Sequence, residues 1–193
     1  FWKNIITNNS TRTMPNYNYK VRLHSIRAFA FDVDGVMTDG TIISMPDGEL
    51  VRIFNSKDGF ALRMCSMKGY PVAIITGGSS DGIVSRFTGL GVDKADIYQK
   101  SRDKRPDFMD FCDRHGLRPG EVAYAGDDIP DIPVLRIAGL SVAPADAVPE
   151  VKDICDYVSL FPGGKGLARD LIEQVLKVRG DWTLDTEVYS KLF

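Results

Sequence analysis

Three short apolar runs constrain this chain most, because each stops abruptly at a cluster of glycine and hydrogen-bonding residues. Ile26-Arg27-Ala28-Phe29-Ala30-Phe31 runs into Asp32-Val33-Asp34-Gly35-Val36, and Val72-Ala73-Ile74-Ile75 into Thr76-Gly77-Gly78. Val122-Ala123-Tyr124-Ala125 runs into Gly126-Asp127-Asp128-Ile129-Pro130-Asp131. Apolar runs of this length, bounded by turn residues and separated by helical periodicity, are buried strands of a parallel sheet. The pattern predicts strands over 26–33, 72–76, 97–98, 122–125, 140–142 and 157–158. It predicts helices over 59–68, 80–88, 102–115, 129–138, 149–154 and 166–178, the last with Leu167, Leu171, Val175 and Val178 on one face. The fold class is α/β, a Rossmann-like parallel sheet with helices on both faces.

One segment breaks the alternation. Residues 38–44 and 49–54 flank Met45-Pro46-Asp47-Gly48, which predicts a β-hairpin inserted after the first strand. Its Ile42, Ile43, Val51 and Ile53 are expected to form a subunit contact, because exposed apolar strands seek partners. The alternative is a hairpin that packs on its own domain.

With 193 residues and 44% hydrophobic content the chain buries one core. We expect a single domain over 21–180, an Asn/Thr-rich N-terminal extension over 1–20 and a C-terminal tail over 181–193. A net charge of -2, from 24 basic and 26 acidic residues, carries no nucleic-acid or membrane-surface signature. Cys65, Cys112 and Cys155 are widely spaced, with no Cys-x-x-Cys pair, and read as reduced thiols. No apolar stretch reaches the length of a membrane span, and the first twenty residues lack a signal-peptide core, so the expected location is cytoplasmic.

The polar clusters carry the chemistry. Asp32 and Asp34 stand two apart at the mouth of a strand, so both face one side, and Gly35 lets the backbone turn. Two carboxylates so close repel unless a cation lies between them, and a hard ion such as Mg2+ suits oxygen ligands and phosphate. Ligands of open α/β sheets bind outside the carboxyl ends of the strands. Thr76, Asp127, Asp128 and Asp131 can therefore join Asp32 and Asp34 in one site, with Lys104 from the start of a helix. The competing readings are an Asp-Gly surface turn, Thr76 as a helix N-cap and Lys104 as a solvated charge.

In this order, Asp-x-Asp-Gly-Val, Thr-Gly, Lys and Gly-Asp-Asp-x-x-Asp, the chain resembles the haloacid dehalogenase superfamily of phosphohydrolases. The resemblance implies that Asp32 is the nucleophile, forming an aspartyl-phosphate, and that Asp34 is the general acid and base. It implies that Asp32, Asp127 and the main-chain carbonyl of Asp34 hold Mg2+, with Asp128 and Asp131 orienting metal waters or Lys104. Thr76, the N–H of Gly77 and Lys104 would bind the phosphoryl oxygens. The stretches Asp32 to Gly40, Phe54-Asn55-Ser56-Lys57-Asp58-Gly59 and Gly163-Gly164-Lys165-Gly166 resemble a branch of that superfamily with no cap domain. That branch implies a homotetramer with shared active sites. It also implies hydrolysis of a small-molecule sugar phosphate, 3-deoxy-D-manno-octulosonate 8-phosphate, in lipopolysaccharide precursor synthesis.

Two departures bear on the substrate. Gly78 and Lys57 stand where members of the branch usually carry Arg, which leaves the nine-carbon 2-keto-3-deoxynononate 9-phosphate as an alternative. Lys57, Asp58 and Arg63 are candidate leaving-group contacts, to sugar hydroxyls or the carboxylate, against the alternative of solvated helix-start charges; Lys165 is a candidate to reach a neighbouring chain's site, against the alternative of capping its own turn. A receiver-like phospho-Asp signalling domain uses the same residue types, but with its phosphorylated Asp on the third strand and Thr and Lys after it.

Overall fold

Side chains alternate across a strand, so each apolar run supplies two faces with different contents. The computed structural model describes residues 18–183; expectations for 1–17 and 184–193 lie outside the described residues. In chain order the elements are α1 (Lys20–Leu23), β1 (Ala28–Phe31), β2 (Ile43–Ser44), β3 (Leu50–Val51), α2 (Ser56–Met67) and β4 (Val72–Ile75). There follow α3 (Asp81–Gly89), β5 (Ile97–Tyr98), α4 (Lys104–Arg114), β6 (Val122–Ala125) and α5 (Ile132–Leu135). The chain continues through β7 (Leu140–Ala143), α6 (Pro149–Lys152), β8 (Tyr157–Val158) and α7 (Leu167–Arg179).

Six strands form one parallel sheet in the order β5-β4-β1-β6-β7-β8. Numbered without the hairpin strands, that is the doubly wound order 3-2-1-4-5-6, whose ligand crevice opens where the order reverses beside the first strand. A five-stranded receiver has the order 2-1-3-4-5 instead. Phe29 and Phe31 of β1, with Val72 and Ile74 of β4, pack under α2, α3 and α7. Ala28, Ala30 and Ala73 face the other way, and their small side chains leave room for Phe108 and Phe111 of α4 and for Tyr124. Both faces of the sheet are thus dry, and β1 is buried at every residue.

Element ends shift by a few residues from the sequence expectation, and the reasons are local. Asn55 caps α2 by accepting the Lys57 N–H at 2.8 Å, so that helix starts at Ser56 rather than 59. The single helix expected over 129–138 is a 3-10 turn over Ile129–Asp131 followed by the short α5. Pro130 and Pro133 remove N–H donors that a continuous helix needs. In the hairpin only Ile43 with Val51 and Ser44 with Leu50 are paired, so its paired strands are shorter than expected. Between β1 and α2 this hairpin is the sole regular structure, and among the described residues no cap domain covers the sheet. Residues 18–20 and 181–183, assigned from sequence to the extension and tail, pack on the domain. Tyr19 stacks on Tyr157 with ring centroids 4.3 Å apart, and Trp182 meets Phe60 edge-on.

Candidate active site

Three strand ends and one helix start converge over β1. Phe31 lies opposite both Ile74 of β4 and Ala125 of β6, so the residues that follow these strands emerge at one level. There they line a pocket of about 500 Å³ that includes Asp32, Asp34, Thr76, Gly77, Lys104, Asp127, Asp128 and Asp131. Gly78, Ser101, Arg102 and Pro130 complete its wall.

Asp32 is anchored as the first residue past β1, its N–H donating to the Ala125 carbonyl at 3.0 Å. The chain then turns at Gly35, which has φ +89°. A Cβ at that glycine would lie 2.0 Å from Asp127 Oδ2, so both the backbone angle and the close approach exclude a side chain. The glycine-rich segment supports this loop from behind: the Gly164 N–H donates to the Val36 carbonyl at 2.9 Å, and a Cβ at Gly163 would meet the Gly35 carbonyl oxygen at 1.9 Å. Its glycines serve backbone contact.

Lys104 Nζ lies 2.9 Å from Asp32 Oδ1 and 2.7 Å from Asp131 Oδ1, in a side chain that is almost fully buried. Asp131 is saturated with donors. Tyr124 Oη donates to its Oδ1 at 2.5 Å, and the Asp127 and Asp128 N–H groups donate to its Oδ2 at 3.0 and 3.3 Å. Asp127 differs: its Oδ1 is buried and has no hydrogen-bond partner. Carboxylate oxygens of Asp32, Asp127 and Asp131 can all lie within 4.8 Å of one another.

Burial, and then the neighbouring Asp131, push the Asp32 carboxyl up to about 8, against the opposing pull of Lys104. The same two causes, with Asp128, push Asp127 up to about 7. Lys104 is the cation paired with Asp32 and Asp131, and one positive charge is too little for these two acids and Asp127 together. An unpartnered buried carboxylate oxygen beside a second raised acid is the donor set a hard divalent cation requires. Asp32 and Asp127 are the residues with capacity to hold it. Asp131, already committed to Lys104, Tyr124 and two N–H groups, orients the lysine.

Thr76 follows β4, its N–H donating to the Tyr98 carbonyl at 2.9 Å while its Oγ1 accepts the Gly78 N–H at 3.1 Å. It is not a helix N-cap; Ser80 caps α3 by accepting the Ile83 N–H. Lys100, the one non-glycine residue with positive φ (59°) among those described, clamps this loop to the start of α4. Its N–H donates to the Gly78 carbonyl at 3.0 Å and the next N–H, of Ser101, to the Thr76 carbonyl at 2.9 Å.

The candidate leaving-group contacts lie apart from this pocket. Asp58 is fully buried, and accepts the Arg169 N–H at 2.8 Å and the Gly166 N–H at 3.1 Å. It caps α7 from α2, apart from the pocket of its own chain. Arg63 is on α2 beside Gly91, outside the pocket wall. Lys57 and Lys165 share a separate depression with Arg169, and Lys165 pairs with Asp39 at 3.4 Å. Within one chain, then, none of the four reaches the acidic pocket.

Sequence reasoning missed Arg52, whose Nε and Nη2 donate to Asp34 Oδ1 and Oδ2 at 2.7 and 3.0 Å. A signal existed: with Val51 and Ile53 facing outward on the hairpin, strand alternation turns Arg52 inward. Ser101, Arg102 and Tyr124 were also passed over.

The family model for haloacid dehalogenase-like hydrolases matches residues 79–171. Over 159 residues the chain is 37% identical to 3-deoxy-D-manno-octulosonate 8-phosphate phosphatase KdsC of Escherichia coli K12, covering 82% of this chain and 84% of that protein. The structure of the Yersinia pestis phosphatase of the same name superposes with a TM-score of 0.82 at 35% identity, covering 85% and 88% of the two chains. The Moraxella catarrhalis enzyme, solved with a magnesium ion, a phosphate ion and a KDO molecule, superposes with a TM-score of 0.81 at 30% identity, covering 89% and 97%.

Proposed function

Since the chain belongs to the haloacid dehalogenase-like hydrolases and is a phosphoric monoester hydrolase of that family, we propose that it cleaves 3-deoxy-D-manno-octulosonate 8-phosphate to the free sugar acid and phosphate. The observation that carries the chemistry is the meeting of Asp32, Thr76, Lys104 and Asp127 in one pocket beside an unpartnered buried carboxylate oxygen. The identity of the sugar is supported by the KdsC relatives.

In the proposed reaction a carboxylate oxygen of Asp32 attacks phosphorus, the P–O bond to the sugar breaks, and the leaving alkoxide takes a proton from Asp34. Water then attacks the aspartyl-phosphate and gives a proton to Asp34, and phosphate leaves with Asp32 restored. Lys104, the Thr76 hydroxyl and the Gly77 N–H hold the phosphoryl oxygens as charge moves across them. Mg2+, held by Asp32, Asp127 and the main-chain carbonyl of Asp34, would offset the charge between acids and phosphate. Asp131 keeps Lys104 aimed at Asp32, and Asp128 holds the turn before α5 through its own side chain.

We assign the enzyme to lipopolysaccharide precursor synthesis, in the cytoplasm, as a homotetramer whose neighbouring chains complete each site. Three free, buried cysteines support a reducing compartment, and among the described residues no helix is long and apolar enough to cross a membrane. The apolar hairpin supports assembly. The test is phosphate release from a panel of sugar phosphates, with Mg2+ and with a chelator. We expect the eight-carbon ester to give the highest kcat/KM, above the nine-carbon analogue, and the chelator to abolish turnover. Equal or better turnover of a neutral sugar phosphate would defeat the substrate assignment.

A further inference from the structure

Arg52 is a buried cation supplied from outside the parallel sheet. It follows β3 of the hairpin, and its side chain is only 2% exposed. Its Nε and Nη2 fork onto the two carboxylate oxygens of Asp34, while Nη1 donates to the Leu50 carbonyl at 3.2 Å. A bidentate fork fixes the plane and direction of a carboxylate, which a single contact does not. The third nitrogen ties the guanidinium to its own strand.

The space for this fork comes from a third element. A Cβ at Gly78, in the loop after β4, would lie 2.7 Å from Arg52 Nη2 and 3.2 Å from Asp34 Oδ2. Gly78 does not have positive φ, so glycine is needed here for room and not for backbone conformation. The hairpin, the β1 loop and the β4 loop therefore meet at one carboxylate.

We propose that Arg52 is a positioning residue that aims Asp34 at the leaving group, and that Gly78 is the vacancy that admits it. The inference rests on the proton-transfer role proposed for Asp34. It makes the hairpin part of the catalytic apparatus within a single chain, independently of any subunit contact.

Leaving-group dependence tests it. An aliphatic alkoxide needs a proton to depart, whereas p-nitrophenolate does not, so loss of aim should selectively slow leaving-group release from the sugar ester in a single turnover, while hydrolysis of the aspartyl-phosphate, which also uses Asp34, is common to both esters. For Arg52→Gln we expect kcat on 3-deoxy-D-manno-octulosonate 8-phosphate to fall about tenfold or more, within the range general acid catalysis supplies. KM should stay within about threefold, and the ratio of single-turnover leaving-group release from the sugar ester to that from p-nitrophenyl phosphate should fall about tenfold or more. Arg52→Lys should restore part of that ratio. Gly78→Ala should reproduce the effect of Arg52→Gln, and the double variant should be no worse than Arg52→Gln alone, because both act on one contact. Equal losses of leaving-group release from the two esters, an unchanged ratio or additive effects would overturn the inference, as the fork would then be structural only. Asp34→Asn separates the two levels. If it selectively loses leaving-group release from the sugar ester while Arg52→Gln and Gly78→Ala do not, only the role of Arg52 fails; if it retains full release from the sugar ester, the acid role fails and takes the inference with it.

Discussion

Lys104 opens α4 as a cation at a helix N-terminus, where the macrodipole disfavours positive charge. It stays there because Asp32 and Asp131 lie within 3 Å on either side. Such a breach of a local rule at a buried position marks function over stability. Gly35 is the most exacting residue of the loop beside it. Gly35→Ala would force a left-handed backbone on alanine, at about 1–2 kcal/mol, and press its Cβ into Asp127. We expect Mg2+ binding, read by calorimetry, to weaken at least about tenfold, a loss of roughly 1.4 kcal/mol, and phosphate release to fall with it. Unchanged Mg2+ affinity would show that Asp127 is not a ligand. At this scale the acids, Thr76 and Lys104 were legible because each follows an apolar run or opens a helix, positions that an open sheet brings together. Asp58 was not legible as a cap, because its partners Gly166 and Arg169 are more than a hundred residues away in the chain.

At the scale of elements, α2 and α7 are joined through that carboxylate. Gly166 precedes α7 with φ +114° and has no side chain to cap it, so Asp58 supplies the acceptor from across the packed pair. Burial raises the Asp58 carboxyl above its usual value even with N–H groups pointing at it. Asp58→Ala should cost about 1–2 kcal/mol as a lost cap, and lower the melting temperature by about 2–4 °C per kcal/mol for a domain of this size. Thermal unfolding checks it. A raised KM with an unshifted melting temperature would return Asp58 to the substrate. Helix and strand identities were legible from periodicity, while the break at α5 turned on two prolines, one the second residue of the 3-10 turn and the other the second residue of α5.

For the whole molecule, the hairpin presents Ile42, Ile43, Met45, Val51 and Ile53 to solvent, Ile53 at 69% exposure. An apolar cluster this dense on a two-stranded edge supports the proposed assembly, because exposed apolar strands seek partners. If it builds the proposed tetramer, Ile53→Asp should shift the mass measured by light scattering toward monomer at micromolar concentration. A monomeric parent protein would remove the assembly from the account. In the sequence the proposed assembly rests on the apolar hairpin residues and on the family resemblance, since a contact between copies leaves no periodicity within one chain.

In the proposed reaction Asp32 carries the phosphoryl group between substrate and water. Asp34→Asn, loaded with p-nitrophenyl phosphate and Mg2+, should accumulate the acyl phosphate, because the leaving group needs no acid while hydrolysis has lost its base. Acid quenching, borohydride reduction and peptide mass spectrometry should then find homoserine at position 32. Turnover with Asp32 unmodified and the reduced product at another carboxylate would contradict the account.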